Sequence, residues 1–350
     1  MPSHSNPTIT TIAESAGVSI ASVSRVLNGL PVRDATERKV LAAAQSLGYV
    51  PNSVARSLKS SRTNQVAFAI EDIGNPVYLA MLREIQPVLK QAGYRLVLHS
   101  TGADLDEELE VLRGLGQRYA DGLIISPIRV TPEHLAELER ATAPVVVIGS
   151  LPDGSPVDNV RADSRTGVEM ALRHLRDLGR RRIGFVNGPL DTVPGRSRDA
   201  AFRAGMRRWG MVLDEDLVHV GAFRRRTGAE ATRALLAGDA AAHPDALLCA
   251  NDLIALGALD VLRERGLRVP EEVAVVGMDD TDLAAASWPA LTSVSLGSAE
   301  RGRRAAQLLL DRLADPGSGR EPRVVTVEPS LHVRASTGGD RVADDGAAPR

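Results

Sequence analysis

Cysteine occurs once in these 350 residues, at Cys249, and lysine only three times, at Lys39, Lys59 and Lys90. One thiol cannot build a disulfide framework, which points to a reducing compartment, and it cannot make a thiolate metal site. The seven histidines (4, 99, 134, 174, 219, 243 and 332) show no metal-ligand spacing, so neither a metal nor a cofactor is expected. No lysine follows a glycine, which excludes a Gly-Lys-Ser/Thr phosphate loop. A GxGxxG turn after the first strand pattern and a GxSxG nucleophile elbow are missing too. Together these absences argue against an enzyme. No apolar run approaches the ~18 residues that span a bilayer. The opening MPSHSNPTITT lacks the basic-then-apolar layout of a signal peptide. The expectation is a soluble, cytoplasmic chain with no membrane partner. The scarcity of lysine beside thirty-nine arginines reads as genomic compositional bias.

What charge there is lies unevenly. The net value is -2, yet residues 1–65 carry seven basic side chains (Arg25, Arg33, Arg38, Lys39, Arg56, Lys59, Arg62) against Glu14, Asp34 and Glu37. That leaves +4 on this segment and -6 on the remainder. A basic head on an acidic body suits phosphate contact at one end only.

Within the head, Ile12, Ala13 and Ala16 share one helical face. Gly17 supplies the positive φ that a tight inter-helix turn requires, and Val18 plugs that turn. Ser19 is a candidate N-cap for a second helix over 20–28, with Val23, Val26 and Leu27 inward. Asn28-Gly29 is a helix-ending pair. A third helix is expected over 34–47, with Val40, Leu41, Ala44 and Leu47 inward and Asp34 as its cap. Such short helices around a tight turn are the helix-turn-helix recipe, in which the second helix enters the major groove. Ile20, Ala21, Ser22, Ser24 and Arg25 would face out, Arg25 toward a guanine edge and Ile20 and Ala21 toward thymine methyls. A helical bundle with no nucleic-acid role has the same periodicity.

The residues themselves decide between these. TITTIAESAGVSIASVSRVLNG, over 8–29, strongly resembles the head of the lactose/galactose repressor family, and GYVPNSVARSLK, over 48–59, resembles its hinge. The resemblance implies a DNA-binding surface of Ser19, Ile20, Ala21, Ser22, Ser24, Arg25 and Asn28. It also implies a short hinge helix in which Asn52, Ala55 and Leu58 meet the minor groove, Leu58 as a wedge. Such a helix is too short to be stable alone.

From 65 onward the period changes. Strands are expected over 65–70, 94–99, 122–126 and 144–148, alternating with helices over 76–92, 106–118 and 132–141. A second series follows, with helices over 164–179, 197–209, 227–237 and 253–265 and strands over 182–186, 217–220, 246–249 and 272–277. Alternation of this kind implies parallel sheets covered on both faces, and two series imply two lobes. The fold class is therefore α/β: an all-α helix-turn-helix head on a two-lobed, doubly wound body like the type I periplasmic binding proteins. Domain limits fall at 1–50 for the head, 51–62 for the hinge and linker, 63–336 for the body and 337–350 for a disordered tail. Lobe 1 takes about 63–162 and 293–322, and lobe 2 about 163–292 and 323–336.

Ligands of such sheets bind beyond the carboxyl ends of the strands. Glu71, Asp72, Asn75, Ser126, Asn251, Asp252, Asp279 and Asp280 stand there, with Arg196 and Arg198 near a helix start. Asn251 could equally be only an N-cap. PDALLCANDLIALGA (244–258), VVGMDD (275–280) and PALTSV (289–294) resemble the same family's sensing domain. The resemblance carries effector-binding roles onto Arg198, Asn251 and Asp279, with Phe223 and Tyr78 as aromatic walls; Ser126 joins them from its place after a strand. An arginine, an amide and a carboxylate suit a polyhydroxylated ligand. Gly149 stands where some sugar-responsive relatives have an aspartate, which argues against a direct transfer of lactose-type specificity. The implied function is a transcriptional repressor controlled by a sugar or related metabolite, a homodimer on a near-palindromic duplex operator. The missing leucine heptads at the C-terminus argue against a tetramer. A solute-binding protein for sugar uptake is the alternative that the two-lobed body fits equally well.

Overall fold

The computed structural model describes residues 7–27, 30–49, 62–315, 317 and 319–339. It divides into two compact units, 1–63 and 64–350.

The first unit holds helices α1 (Ile9–Ala16), α2 (Ile20–Leu27) and α3 (Asp34–Ser46). Thr8 and Thr11 form a reciprocal capping box at the start of α1, and Gly17 ends it at φ +63°. Ser19 Oγ accepts the Ser22 N–H at 3.1 Å, which caps α2. The core is small: Ile12, Ala13, Val23, Val26, Val40 and Ala43 are buried, with Val18 and Tyr49 packed beside them. Two details differ from the sequence reading. Leu41 is 49% and Leu47 38% exposed, because Val40 and Ala43 already take the inward stripe. Leu41 lies about 100° around the helix from Val40, and Leu47 falls past the last turn. The cap position of α3 is Arg33, without a side-chain hydrogen bond, so Asp34 serves only as first-turn negative charge.

The second unit begins with β1 (Gln65–Ile70), α4 (Pro76–Gln91), β2 (Arg95–Ser100), α5 (Leu105–Gly114), β3 (Gly122–Ser126), α6 (Pro132–Arg140), β4 (Val145–Ile148) and β5 (Asp158–Ala162). It continues with α7 (Ser164–Asp177), β6 (Ile183–Asn187), α8 (Val193–Arg208), β7 (Val218–Val220), α9 (Arg225–Leu235), β8 (Ala246–Cys249), α10 (Asp252–Glu264) and β9 (Ala274–Met278). The last elements are α11 (Asp282–Ala286), β10 (Thr292–Ser295), α12 (Ser298–Ala314), β11 (Val324–Val327) and β12 (Ser330–His332). Two six-stranded sheets result, ordered β11-β5-β4-β3-β1-β2 and β12-β10-β9-β8-β6-β7. Every pairing is parallel except β10 with β12. Central strands such as Val66–Ile70 are buried throughout, as strands covered by helices on both faces must be.

The chain crosses between lobes three times: after β5, between β10 and α12, and between β11 and β12. This corrects the expected limits. Thr292–Val294 pair with Val276–Met278 in the second sheet, so β10 belongs to lobe 2. Val324–Val327 pair with Asn159–Ala162 in the first sheet, so β11 belongs to lobe 1. Gly297, at φ +65°, makes the second crossing, and a side chain there would overlap Val327 on the third. The C-terminal limit moves too. Thr337 is buried and hydrogen-bonds His174 at 2.9 Å and Thr292 at 2.7 Å, so packed structure runs to Gly339. The rest of the expected tail, 340–350, lies outside the described residues. Helix α8 starts four residues before its expected 197, because Thr192 caps it and Pro194 is pre-set for a first turn.

Candidate functional site

The carboxyl ends of both sheets open on one cleft between the lobes. Tyr78, Ser126, Arg198, Phe223, Asn251 and Asp279 all line it, together with Glu71, Asn75, Gly149 and Arg301. Most come from the segments that follow the strands or from the first turns of the helices after them. Asn75 caps α4 by accepting the Val77 N–H at 3.2 Å, which sets Tyr78 in the first turn facing Ser126. The Tyr78 hydroxyl is pushed well above its ordinary range, first by burial and then by the charge of Glu71. It stays a neutral donor and acceptor at the cleft wall.

Arg198 and Asp279 form the floor. Nη1 of Arg198 donates to the Ala250 carbonyl at 2.6 Å, while Nη2 stands 4.0 Å from Asp279 Oδ1. Both side chains are almost wholly buried, and Arg198 Nε has no hydrogen-bond partner. The guanidinium lies over the Phe223 ring at 5.7 Å from its centroid. Burial raises the Asp279 carboxyl above its ordinary range, and Arg198 and Arg301 offset this only in part. Asp279 has φ +105°, a conformation that L-residues adopt only when their surroundings enforce it. A buried carboxylate and guanidinium held close but not bonded keep acceptors and donors free for a third party.

Asn251 is the N-cap that its position allowed, and it also lines the cleft. Its Oδ1 accepts the Ile254 N–H at 2.9 Å as the cap of α10, and its Nδ2 reaches the Phe223 carbonyl at 3.4 Å. The Phe223 ring presses on Gly188, where any Cβ would overlap its far end.

The other polar residues after the strands lie elsewhere. Arg196 is exposed and donates to the Asp191 carbonyl at 3.0 Å. Asp280 is held by Arg334 at 2.6 Å, and Asp252 sits beneath the floor on Ser293 and Thr281. Arg301, from α12, is a cleft residue that the sequence reading missed. Its neighbours Glu300, Arg303 and Arg304 pair with each other as an exposed charged face, so nothing local marks Arg301 as buried.

In the head, Ser19, Ile20, Ala21 and Arg25 of the second helix are exposed, while Ser22 and Ser24 are half-buried. The Ser19 and Ser22 hydroxyls are 2.9 Å apart, and Arg25 Nη2 donates to the Pro31 carbonyl at 3.0 Å. Asn28, Asn52, Ala55 and Leu58 lie outside the described residues. Among the described residues no cluster of His, Cys, Asp or Glu could hold a metal, and no helix is long and apolar enough to cross a membrane.

Residues 8–52 match the model of the bacterial regulatory proteins, lacI family, and residues 172–337 match a periplasmic binding protein-like domain. The transcriptional regulator CelR of Thermobifida fusca is 37% identical over 339 residues, covering 94% of this chain and 98% of the relative. The transcriptional repressor PurR of Aliivibrio salmonicida is 31% identical over 331 residues, with the same coverages of 94% and 98%. Among solved structures, the CelR–cellobiose complex is 35% identical with a TM-score of 0.70, covering 95% of this chain and 100% of that one. A lac repressor dimer bound to operator and the anti-inducer ONPF superposes with a TM-score of 0.83 at 26% identity, over 95% and 99% of the two chains.

Proposed function

The chain belongs to the lacI family of bacterial regulatory proteins and is a DNA-binding transcriptional regulator, and on that premise we propose that it represses transcription under control of a sugar or related metabolite bound between the lobes. The relatives are regulators rather than enzymes, and uptake of a solute is the disfavoured alternative because it gives the head no task. The observation that carries the effector reading is the Arg198–Asp279 pair, buried, 4.0 Å apart and unbonded, on the floor of an aromatic-walled cleft. Vicinal hydroxyls can bridge such a pair, donating to the carboxylate and accepting from the guanidinium.

On this reading Arg198, Asn251 and Asp279 orient the effector, Tyr78 and Phe223 cover its faces, and Ser126 adds a hydroxyl. A homodimer in the cytoplasm places two heads on successive half-sites of a near-palindromic operator, where Ser19, Ile20, Ala21, Ser22, Ser24, Arg25 and Asn28 read the major groove. The role of Asn52, Ala55 and Leu58 in a minor-groove hinge rests on the sequence resemblance alone. Coupling between cleft and operator is of order 1–3 kcal/mol and acts equally in both directions.

The test uses the full chain and a duplex selected by it from a random pool. Sugars and polyols are screened by thermal shift, and hits are assayed for their effect on duplex binding. Arg198→Ala should keep duplex binding and lose the response to every hit. An Arg198→Ala protein that still responds fully removes the cleft from the mechanism.

A further inference from the structure

Arg301 enters the cleft from lobe 1, in the first turn of α12 just past the second crossing. It is only 8% exposed. Nε donates to the Leu296 carbonyl at 3.1 Å and Nη2 to Ser298 Oγ at 3.0 Å. Both partners are neutral, and among the described residues no carboxylate comes within 4.0 Å of this guanidinium. It is held in place without being neutralised.

Of the nearby carboxylates, one is engaged beneath the floor and one is shared between the two guanidiniums. Asp252 accepts from Thr281 at both the backbone and the hydroxyl and from Ser293. Asp279 faces Arg198. Glu71 lines the cleft above the floor, where burial and Asp72 raise its carboxyl and so favour its neutral form. The floor therefore presents two buried guanidiniums to one open carboxylate. Burial draws the Arg301 pKa down to about 10, which leaves it a cation at any physiological pH. A neutral hydroxyl can accept its hydrogen bond but leaves the charge uncompensated in a water-poor site. A planar or tetrahedral oxoanion does both, through the forked donors of the guanidinium.

We infer that the ligand of this cleft is an anionic carbohydrate, with a carboxylate or phosphate on a polyhydroxylated frame, and that Arg301 selects it. The inference rests on the cleft being the sensing site and narrows the ligand within that reading. The hydroxyls engage Arg198, Asn251 and Asp279, while the oxoanion docks on Arg301.

Titration calorimetry on the full chain at constant ionic strength tests this with matched probes: D-glucuronate against D-glucose, D-galacturonate against D-galactose, and glucose 6-phosphate against glucose. At least one acidic member should bind about tenfold or more tightly than its neutral partner, the scale of one charge-assisted contact. The uronate and phosphate arms separate the two sources of charge. Arg301→Met should erase that preference while leaving duplex binding in place. Arg301→Lys, which keeps the charge, should restore part of it and guards against loss through misfolding. Neutral members binding as tightly as acidic ones, no acidic member binding, or an acid preference that survives Arg301→Met would each overturn the inference. Neutral sugars that bind and alter duplex affinity without acid preference leave the broader effector reading standing. A chain whose duplex binding no sugar changes loses both.

Discussion

The Val193 N–H donates to the Ile128 carbonyl at 2.9 Å, joining the first residue of α8 in lobe 2 to the loop after β3 in lobe 1. Beside it Arg129 Nε meets Asp191 Oδ2 at 2.7 Å, and a further bridge between lobes joins Arg83 to Asp282 at 2.7 Å. Among the described residues, the contacts that span the two lobes thus include this backbone bond and two exposed ion pairs.

Those ion pairs should tune ligand binding more than stability. Exposed pairs contribute about 0.2–1 kcal/mol each and weaken with salt. Removing both in Arg83→Ala/Asp191→Asn should lower the closed population, and an open population reduces apparent affinity in proportion. Effector affinity is expected to fall about five- to tenfold at low salt, with the deficit shrinking above about 0.5 M salt. The melting temperature of the free protein should barely move. Calorimetric titrations at two salt concentrations check this, and an affinity loss that ignores salt would count against an electrostatic latch.

A pH dependence follows from the carboxylate beneath the floor. The Asp252 pKa is pushed up to about 7, first by burial and next by Asp279, against the pull of its Ser293 and Thr281 donors. In the unfolded chain it lies near 3.8. Between these values the folded protein keeps a proton that the unfolded chain releases, so stability is fully present below the lower value. It is lost as pH rises toward about 7 and is level beyond it. Asp252→Asn stays neutral throughout. Its amide oxygen can still serve Thr281, while the Ser293 hydroxyl turns to accept from the new NH2. Urea unfolding of both proteins from pH 5 to 8 should show the wild type losing stability relative to the variant as pH rises. Parallel profiles would rule out a raised carboxyl.

Much of this architecture was legible because its signals are local. Central strands such as Val145–Ile148 are unbroken apolar runs, and Asn251 and Asp279 stand where a strand hands over to a helix, whereas Arg198 lies inside α8 and is singled out by the family resemblance. What stayed hidden depends on partners far along the chain. Strand β5, Asp-Asn-Val-Arg-Ala, has no apolar run, yet its Asp158 is buried because Arg312 and Arg323 pair with it at 2.7 and 3.2 Å. Those partners lie over 150 residues later, where no periodicity can announce them. The lobe assignments of β10 and β11 failed for a related reason. Each is a four-residue strand next to a crossing, and only register decides which sheet receives it.

Two glycines set the closest helix crossing in lobe 2. A Cβ on Gly228 of α9 would overlap the Ile254 carbonyl of α10, and one on Gly257 of α10 would overlap the Arg225 carbonyl of α9. Helix propensity alone favours alanine at either site by about 1 kcal/mol. Both obstacles are backbone carbonyls, which cannot swing aside as a side chain does, so overpacking wins. Gly257→Ala should destabilise the protein by about 1–3 kcal/mol net, read as a lower denaturant midpoint at unchanged slope. A stabilised Gly257→Ala protein would mean that α9 and α10 do not cross this closely.

On the DNA side, Arg25 is the exposed residue of the second helix best equipped for base recognition. Its Nη2 is engaged with the Pro31 carbonyl at 3.0 Å, which limits the side chain's freedom and leaves the remaining donors of the fork to approach a guanine edge. A base contact and a phosphate contact predict different losses. If Arg25 reads a base, Arg25→Ala should cost about 1–3 kcal/mol on the preferred duplex and relax selectivity at one position in each half-site. Non-specific affinity and its salt dependence should change little. Arg25→Lys, which keeps the charge without the fork, should restore phosphate attraction but not selectivity. Selection of bound duplexes from a random pool by the three proteins distinguishes the cases. A uniform weakening across all sequences, cured by lysine, would place Arg25 on the phosphate backbone instead.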